Sequence, residues 1–171
     1  MNATRLRRLC QCAIFAAVIY VFTAYLHVPS FNGYTHIGDG FLYLAASLLP
    51  TGYAAAAGAV GAGLADLLSG YSIWAPATLV IKALTACFFT SRAPSFLCRR
   101  NLWALLPAAA LCGAGYYLYE CAITGNFAAP AAGIPGYLIQ SALSSLVYLA
   151  LGRALDRAGI KGRLVSSGQM E

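Results

Sequence analysis

Apolar residues fill six stretches of this chain, and short polar breaks separate them. The stretches run from about Leu9 to Leu26, Asp39 to Leu49, Gly52 to Leu68, Pro76 to Phe89, Leu102 to Ile123 and Ile134 to Leu155. The breaks carry turn residues: Pro29, Asn32 and Gly33 in His27–Gly38, then Pro50-Thr51-Gly52, Gly70 before Trp74, and Asn126 and Pro130 in Thr124–Gly133. A bilayer core about 30 Å thick is crossed by roughly 20 apolar residues in a helix. The pattern predicts an all-α integral membrane protein, a single domain at residues 1–171 built as a six-transmembrane-helix bundle. Residues 158–171 are expected to be a disordered cytoplasmic tail.

Composition agrees with a bilayer as the solvent. The chain is 60% hydrophobic and 9% charged, where a soluble domain carries about 25% charged residues. A net charge of +6 raises nucleic acid as a partner, but the cations flank apolar stretches instead of forming a patch. Ten of the eleven Lys and Arg fall on one side of a six-span arrangement: Arg5, Arg7, Arg8, Arg92, Arg99, Arg100, Arg153, Arg157, Lys161 and Arg163. The positive-inside rule then puts both termini in the cytoplasm. The start of the chain is read as a retained helix, since no small-residue cleavage site precedes Tyr25-Leu26-His27. The six cysteines form no metal or redox spacing and read as small buried hydrophobes.

Four charges are not topology signals: Asp39, Asp66, Lys82 and Glu120. Lys82 lies inside the fourth stretch, where a charge normally faces a partner or a cavity. Three readings stand beside one another: an ion pair with Asp66, snorkelling to the inner surface, or a polar group under a substrate pocket. Asp39 opens the second stretch, where the helix dipole favours a carboxylate. Glu120 follows Tyr116 and Tyr117 near the outer end of the fifth. Tyr137, Gln140, Ser141, Ser144 and Tyr148 share one face of the last stretch, and a polar face in lipid turns inward. The outer breaks add Tyr34, His36, Trp74 and Asn126. An outer half with carboxylates and no Lys or Arg favours a ligand bearing an amine. Small residues four apart in the third stretch, such as Gly58 and Ala62, predict the most tightly enclosed helix. No protease, hydrolase or P-loop motif is present.

Several segments, in order, resemble one known family. They are Gly33-Tyr-Thr-His-Ile-Gly-Asp39, Leu-Leu-Pro50-Thr-Gly52, Gly-Leu-Ala-Asp66-Leu-Leu-Ser-Gly-Tyr71 and Ala-Pro76-Ala-Thr-Leu-Val-Ile-Lys82. Over about residues 8–155 the chain resembles the substrate-binding S component of an energy-coupling factor (ECF) transporter, in the branch for riboflavin-like, pyrimidine-precursor, vitamin B6 and queuosine-type substrates. The resemblance implies an outer pocket, a lid formed by His27–Gly38, and a docking strip for the transmembrane coupling subunit at Ala13 and Ala17. It also implies a partner module of that coupling subunit and two ABC ATPases, so that ATP is used there and this chain carries no cofactor. The nickel and cobalt branch uses a histidine near the N-terminus, and the first histidine here is His27, so no metal is expected.

The resulting expectation is a non-enzymatic importer subunit in the plasma membrane of a bacterial-type cell. It binds a vitamin-like heterocycle, with an amine-bearing one such as a queuine-like or pyridoxamine-like compound favoured. The expected site comprises Tyr34, His36, Asp39, Asp66, Trp74, Lys82, Tyr116, Glu120, Asn126 and Gln140. The rival readings are a stand-alone proton-coupled carrier with an Asp66–Lys82 relay, and a small membrane enzyme of lipid metabolism.

Overall fold

The structure is a computed structural model that describes residues 2–30 and 33–166. Eight α-helices are present among them, α1 (Ala3–Ala24), α2 (Gly38–Leu48), α3 (Thr51–Leu68), α4 (Ala75–Ala86), α5 (Arg99–Thr124), α6 (Ala128–Ala131), α7 (Ile134–Arg157) and α8 (Ile160–Ser166), with a short 3-10 turn at Ser72–Trp74. The long helices overrun the apolar stretches at their arginine-rich ends. Arginine is a good helix former, and nothing in water obliges a helix to stop where its apolar run does. Gly125, at φ 63, ends α5 with its N–H on the carbonyl of Cys121, a left-handed stop open to glycine at little steric cost.

The break between α1 and α2 is not an irregular loop. Strands β1 (His27–Ser30) and β2 (Gly33–His36) pair antiparallel, with His27 opposite His36 and Val28 opposite Thr35, so the protein is not purely α-helical. Val28, Tyr34 and Thr35 suit a pleated ribbon, and the Asn32-Gly33 pair was an available hairpin signal.

Burial also corrects the expectation for the third stretch. Nine of the eleven residues of α2 are buried, against eight of the eighteen of α3, so α2 is the most enclosed helix. The small residues of α3 do allow close approach. A Cβ on Gly61 would stand 2.5 Å from the carbonyl oxygen of Ala16 in α1. Gly61→Ala is therefore expected to destabilise the bundle by about 1–3 kcal/mol, as overpacking generally does, measurable as a lower Tm in detergent. Gly40 does the same between α2 and α7, with Ser144's carbonyl 2.7 Å from the Cβ position.

The molecule is apolar outside and charged within. Ile14, Leu64, Val80, Leu106, Leu118, Ile139 and Leu146 are exposed, while Asp39, Asp66, Lys82 and Glu120 are buried. Water would reject both halves of that arrangement, and a bilayer accepts it. Among the described residues three segments are long and apolar enough to cross unaided: α1, α5 and residues 128–157. By length, α2 and α4 do not: 11 and 12 residues rise only about 17–18 Å.

At the arginine-rich end a polar cluster ties the connection between α4 and α5 to the bundle. Buried Asn101 holds its Nδ2, with two hydrogens to share, 3.0 Å from Ser47 Oγ and from the carbonyls of Thr90 and Phe96, and its Oδ1 accepts from Thr90 N–H at 2.8 Å. The Asp156 carboxylate accepts the N–H groups of Phe96 (2.7 Å) and Leu97 (3.0 Å). The segment expected to be disordered from 158 onward is instead helical at Ile160–Ser166; residues 167–171 lie outside the described residues. Gly159, at φ 64, turns the chain into α8, and Lys161 donates to the carbonyls of Ser47 (2.6 Å) and Ser95 (3.3 Å).

Candidate functional site

The start of α2, the end of α3, the start of α4 and the facing ends of α5 and α7 converge under the hairpin. Between them lies a tight cavity of about 30 Å³, lined by Tyr34, His36, Asp66, Trp74, Thr78, Tyr116, Tyr137 and Gln140, so a ligand of heterocycle size enters only when the hairpin or the ring side chains give way. Six of the ten expected residues are thus brought together. Thr78 and Tyr137 join them; Tyr137 had shown in the polar face of the last stretch without being assigned to the site.

The walls are aromatic. Tyr116 and Tyr137 stack with centroids 5.3 Å apart and planes 22° from parallel, and Trp74 meets Tyr116 edge-on at 6.2 Å. The Tyr116 hydroxyl and Thr78 Oγ1 share a hydrogen bond of 2.9 Å, which fixes the ring. On the hairpin side Tyr34 packs on His27 and Tyr71.

Asp66 is the one formally charged residue of the lining. Its Oδ1 accepts the Tyr34 hydroxyl, which ties hairpin to α3. Its Oδ2 is buried without a hydrogen bond of good geometry, and the Thr78 hydroxyl stands beside the carboxylate, able to donate to it when Tyr116 donates to Thr78. A buried carboxylate with few donors is unfavourable, so Asp66 brings spare acceptor capacity to the cavity it lines.

Lys82 pairs with Asp39, not with Asp66. Its Nζ lies 2.8 Å from Oδ1 and 2.9 Å from Oδ2 of Asp39, with both side chains almost fully buried. Gln140 Nε2 donates to the same Oδ2 at 2.9 Å. Asp39 is therefore not a simple helix cap, since Ile37 occupies the N-cap of α2 without a side-chain bond. The triad joins α2, α4 and α7 beneath the cavity, with Lys82 Nζ 5.3 Å from the Tyr116 ring centroid. A relay between Asp66 and Lys82, which a proton-coupled carrier would need, is absent.

Two expected residues stand elsewhere. Glu120 is buried against Tyr137, with Oε2 3.3 Å from the Cβ position of Gly133, and is not part of the lining. Asn126 is exposed and accepts the N–H groups of Ala128 and Ala129 at 2.8 and 3.3 Å, starting α6. Its role is that of a local turn residue.

His36 sets a pH dependence. Its Nδ1 accepts the N–H of Gly38 at 3.1 Å, which puts the proton of the neutral ring on Nε2. Burial pushes its pKa down to about 4. The sign follows from linkage. Between about pH 6.5 and 4 an opened hairpin binds a proton at His36 that the closed one refuses. Closure is thus fully favourable above 6.5, weakens as pH falls and levels off below about 4. Protection factors of β1 and β2, that is exchange corrected for the intrinsic pH dependence of amide exchange, are expected to fall as pH drops across that window in the native chain and to stay constant in His36→Gln.

Comparison with known proteins follows the same line. The family model "ECF-type riboflavin transporter, S component" matches residues 3–157, and the chain belongs to that family. It is a substrate-binding transporter subunit and not an enzyme. A solved structure of the S component of a bacterial ECF transporter superposes with a TM-score of 0.69 at 16% identity, covering 90% of this chain and 97% of that one; at that identity the likeness speaks for the fold. A comparison with curated proteins found no match.

Proposed function

We propose that this chain is the specificity subunit of an ECF-type ABC importer and that it captures a small, amine-bearing heterocycle at the outer face of a bacterial plasma membrane. The buried Asp66 carboxylate in an otherwise aromatic lining, its acceptors only partly used, is the observation that carries the substrate class. A carboxylate in an apolar setting is best matched by a cationic N–H donor. Trp74, Tyr116 and Tyr137 supply flat surfaces for a ring, and aromatic faces also favour a cation. His36 offers Nε2–H as a donor. Gln140, its Nε2 committed to Asp39, has its amide oxygen left to offer. Queuine-like and pyridoxamine-like compounds share this flat, amine-bearing chemistry. Asp39 and Lys82 support the floor, and Glu120 acts by orienting Tyr137.

In this reading α2, α3 and α4 complete a six-span bundle with both termini inside. The shortness of α2 is no obstacle, because a helix enclosed by other helices need not match the lipid by its own length. A coupling subunit and two ABC ATPases supply the ATP chemistry, with no cofactor on this chain. Docking runs over α1, where Ala13 and Ala17 are exposed four residues apart, a flat strip for a partner helix.

Native mass spectrometry of the purified chain tests ligand capture: an amine-bearing heterocycle carried through purification is expected, and one without basic nitrogen would count against the assignment. Ala13→Leu with Ala17→Leu is expected to weaken co-purification with the coupling subunit at least about tenfold, given about 1–3 kcal/mol for each overpacked contact. Ligand binding by the isolated chain should be unchanged.

A further inference from the structure

Gln140 is gripped from beneath the cavity and also lines it. Its Nε2 donates to Asp39 Oδ2 at 2.9 Å and to Cys112 Sγ at 3.8 Å, which leaves the amide oxygen as the end shown to the cavity. A glutamine amide presents oxygen or nitrogen with almost the same shape, and its hydrogen-bond partners decide which. Here the decision comes from Asp39. Lys82 Nζ lies 2.8 and 2.9 Å from its two oxygens, and a carboxylate held in such a pair only accepts hydrogen bonds. Turning the amide over would set its oxygen against that carboxylate, acceptor on acceptor with no proton between. Asp39, Lys82 and Gln140 are all buried, so bulk water does not relieve the mismatch.

We infer that Gln140 is a specificity-determining residue whose polarity Asp39 and Lys82 set as positioning residues. The site then requires a ligand that turns an N–H donor toward Gln140, and it rejects one that presents a bare ring nitrogen or a carbonyl there. The inference rests on the reading of this cavity as the capture site and narrows its ligand class to a flat amine with a second donor on its ring edge. The amine meets Asp66 on α3, and the second donor meets Gln140 on α7. Shape separates such ligands poorly, because a donor and an acceptor edge fill similar space. What separates them is the buried pair of acceptors that the wrong edge leaves in contact. A buried ion pair contributes little net stability and is expensive within a bilayer; fixing the polarity of one amide gives it a use.

Calorimetric titration of the full chain in detergent tests this with small probes. Benzylamine supplies the ammonium and the flat ring. The ortho, meta and para aminobenzylamines add a ring donor, and the three picolylamines place a bare ring nitrogen instead. At one ring position the aminobenzylamine is expected to bind about tenfold or more tighter than its picolylamine counterpart. Gln140→Met keeps the length of the side chain without the amide and should bring that pair level, whereas loss of a merely structural residue would weaken every probe alike. Asp39→Asn with Lys82→Met puts an amide at 39 that offers Gln140 either a donor or an acceptor, so the preference should collapse there through a gain by the picolylamine. The absence of a donor preference at every ring position in the native chain would overturn the assignment, as would a preference that survives Gln140→Met; neither outcome needs the double variant to fold. A preference intact in a folded double variant would overturn the part given to Asp39 and Lys82. The amine reading is judged separately by benzylamine itself. An affinity unaltered by Asp66→Asn would count against that reading, while the ratio of donor to acceptor probes still decides the role of Gln140.

Discussion

Lys82→Met is expected to destabilise the protein by about 3–5 kcal/mol, the general cost of removing one member of a buried ion pair. The loss comes less from the missing attraction than from what remains. Asp39 would be left ionised among buried residues, with Gln140 as its one remaining hydrogen-bond donor. The pair can also be removed whole. Asp39→Asn with Lys82→Met leaves no uncompensated charge, and an amide at 39 can still bond to Gln140. That double variant is expected to recover most of the stability, because a buried pair often contributes little net energy against neutral residues of similar size. Denaturant unfolding in detergent of the four members of this cycle measures the coupling directly. Additive single effects would mean that Lys82 and Asp39 do not pair. His36 supplies a second readout. Lys82 lowers its pKa and Asp39 raises it, so Lys82→Met should raise the His36 pKa in the closed hairpin and make opening less sensitive to acid.

Asp66→Asn should produce the opposite pattern, harming function and sparing the fold. The amide keeps the size of the side chain and an oxygen for the Tyr34 hydroxyl. It loses the charge that would meet an amine. A charge-assisted hydrogen bond contributes about 1.5–3 kcal/mol, so affinity for the native ligand is expected to fall by roughly 10- to 150-fold in calorimetry. Stability should hold or rise, since a buried carboxylate with few donors is itself unfavourable. Tyr34→Phe separates the two jobs of this carboxylate. It removes the tie to the hairpin and leaves the charge, so it should speed ligand release more than it slows capture. Unchanged affinity in Asp66→Asn would show that the ligand brings no cation to this site, and the amine assignment would fail with it.

Much of the site could be read along the chain, for one physical reason. In lipid a polar side chain is costly wherever it lies, so each one inside an apolar stretch was marked. Asp66, Lys82, Tyr116 and Gln140 were found that way, and all four lie at or under the cavity. Thr78 and Tyr137 carried the same mark, yet hydroxyls serve as helix glue as often as they line pockets, and only packing separates the two uses. Asn126 and Glu120 show the reverse. Their positions along the chain matched those of true lining residues, but Asn126 satisfies the first turn of α6 and Glu120 turns toward Tyr137. The hairpin was missed although its turn signal was present, because a break between two membrane stretches reads as a loop unless its cross-strand pairs are considered. The helix at Ile160–Ser166 was missed because its anchors, Ser47, Ser95 and Arg7, are distant in the chain.

By itself the sequence determined the solvent and the out-of-place charges. Apolar runs and the arginines at their edges need no knowledge of packing, since each residue meets the lipid or the water one at a time. Tertiary structure alone decided who meets whom. Lys82 had two carboxylates within plausible reach, and the choice between them rests on the depth and rotation of α2, α3 and α4 against one another. Glycines 40 and 61, by letting backbones approach where a methyl group would collide, set those rotations. The result gives Lys82 to Asp39 and leaves Asp66 with acceptor capacity to spare, because Coulomb attraction between buried charges falls off with distances that only the packed helices define.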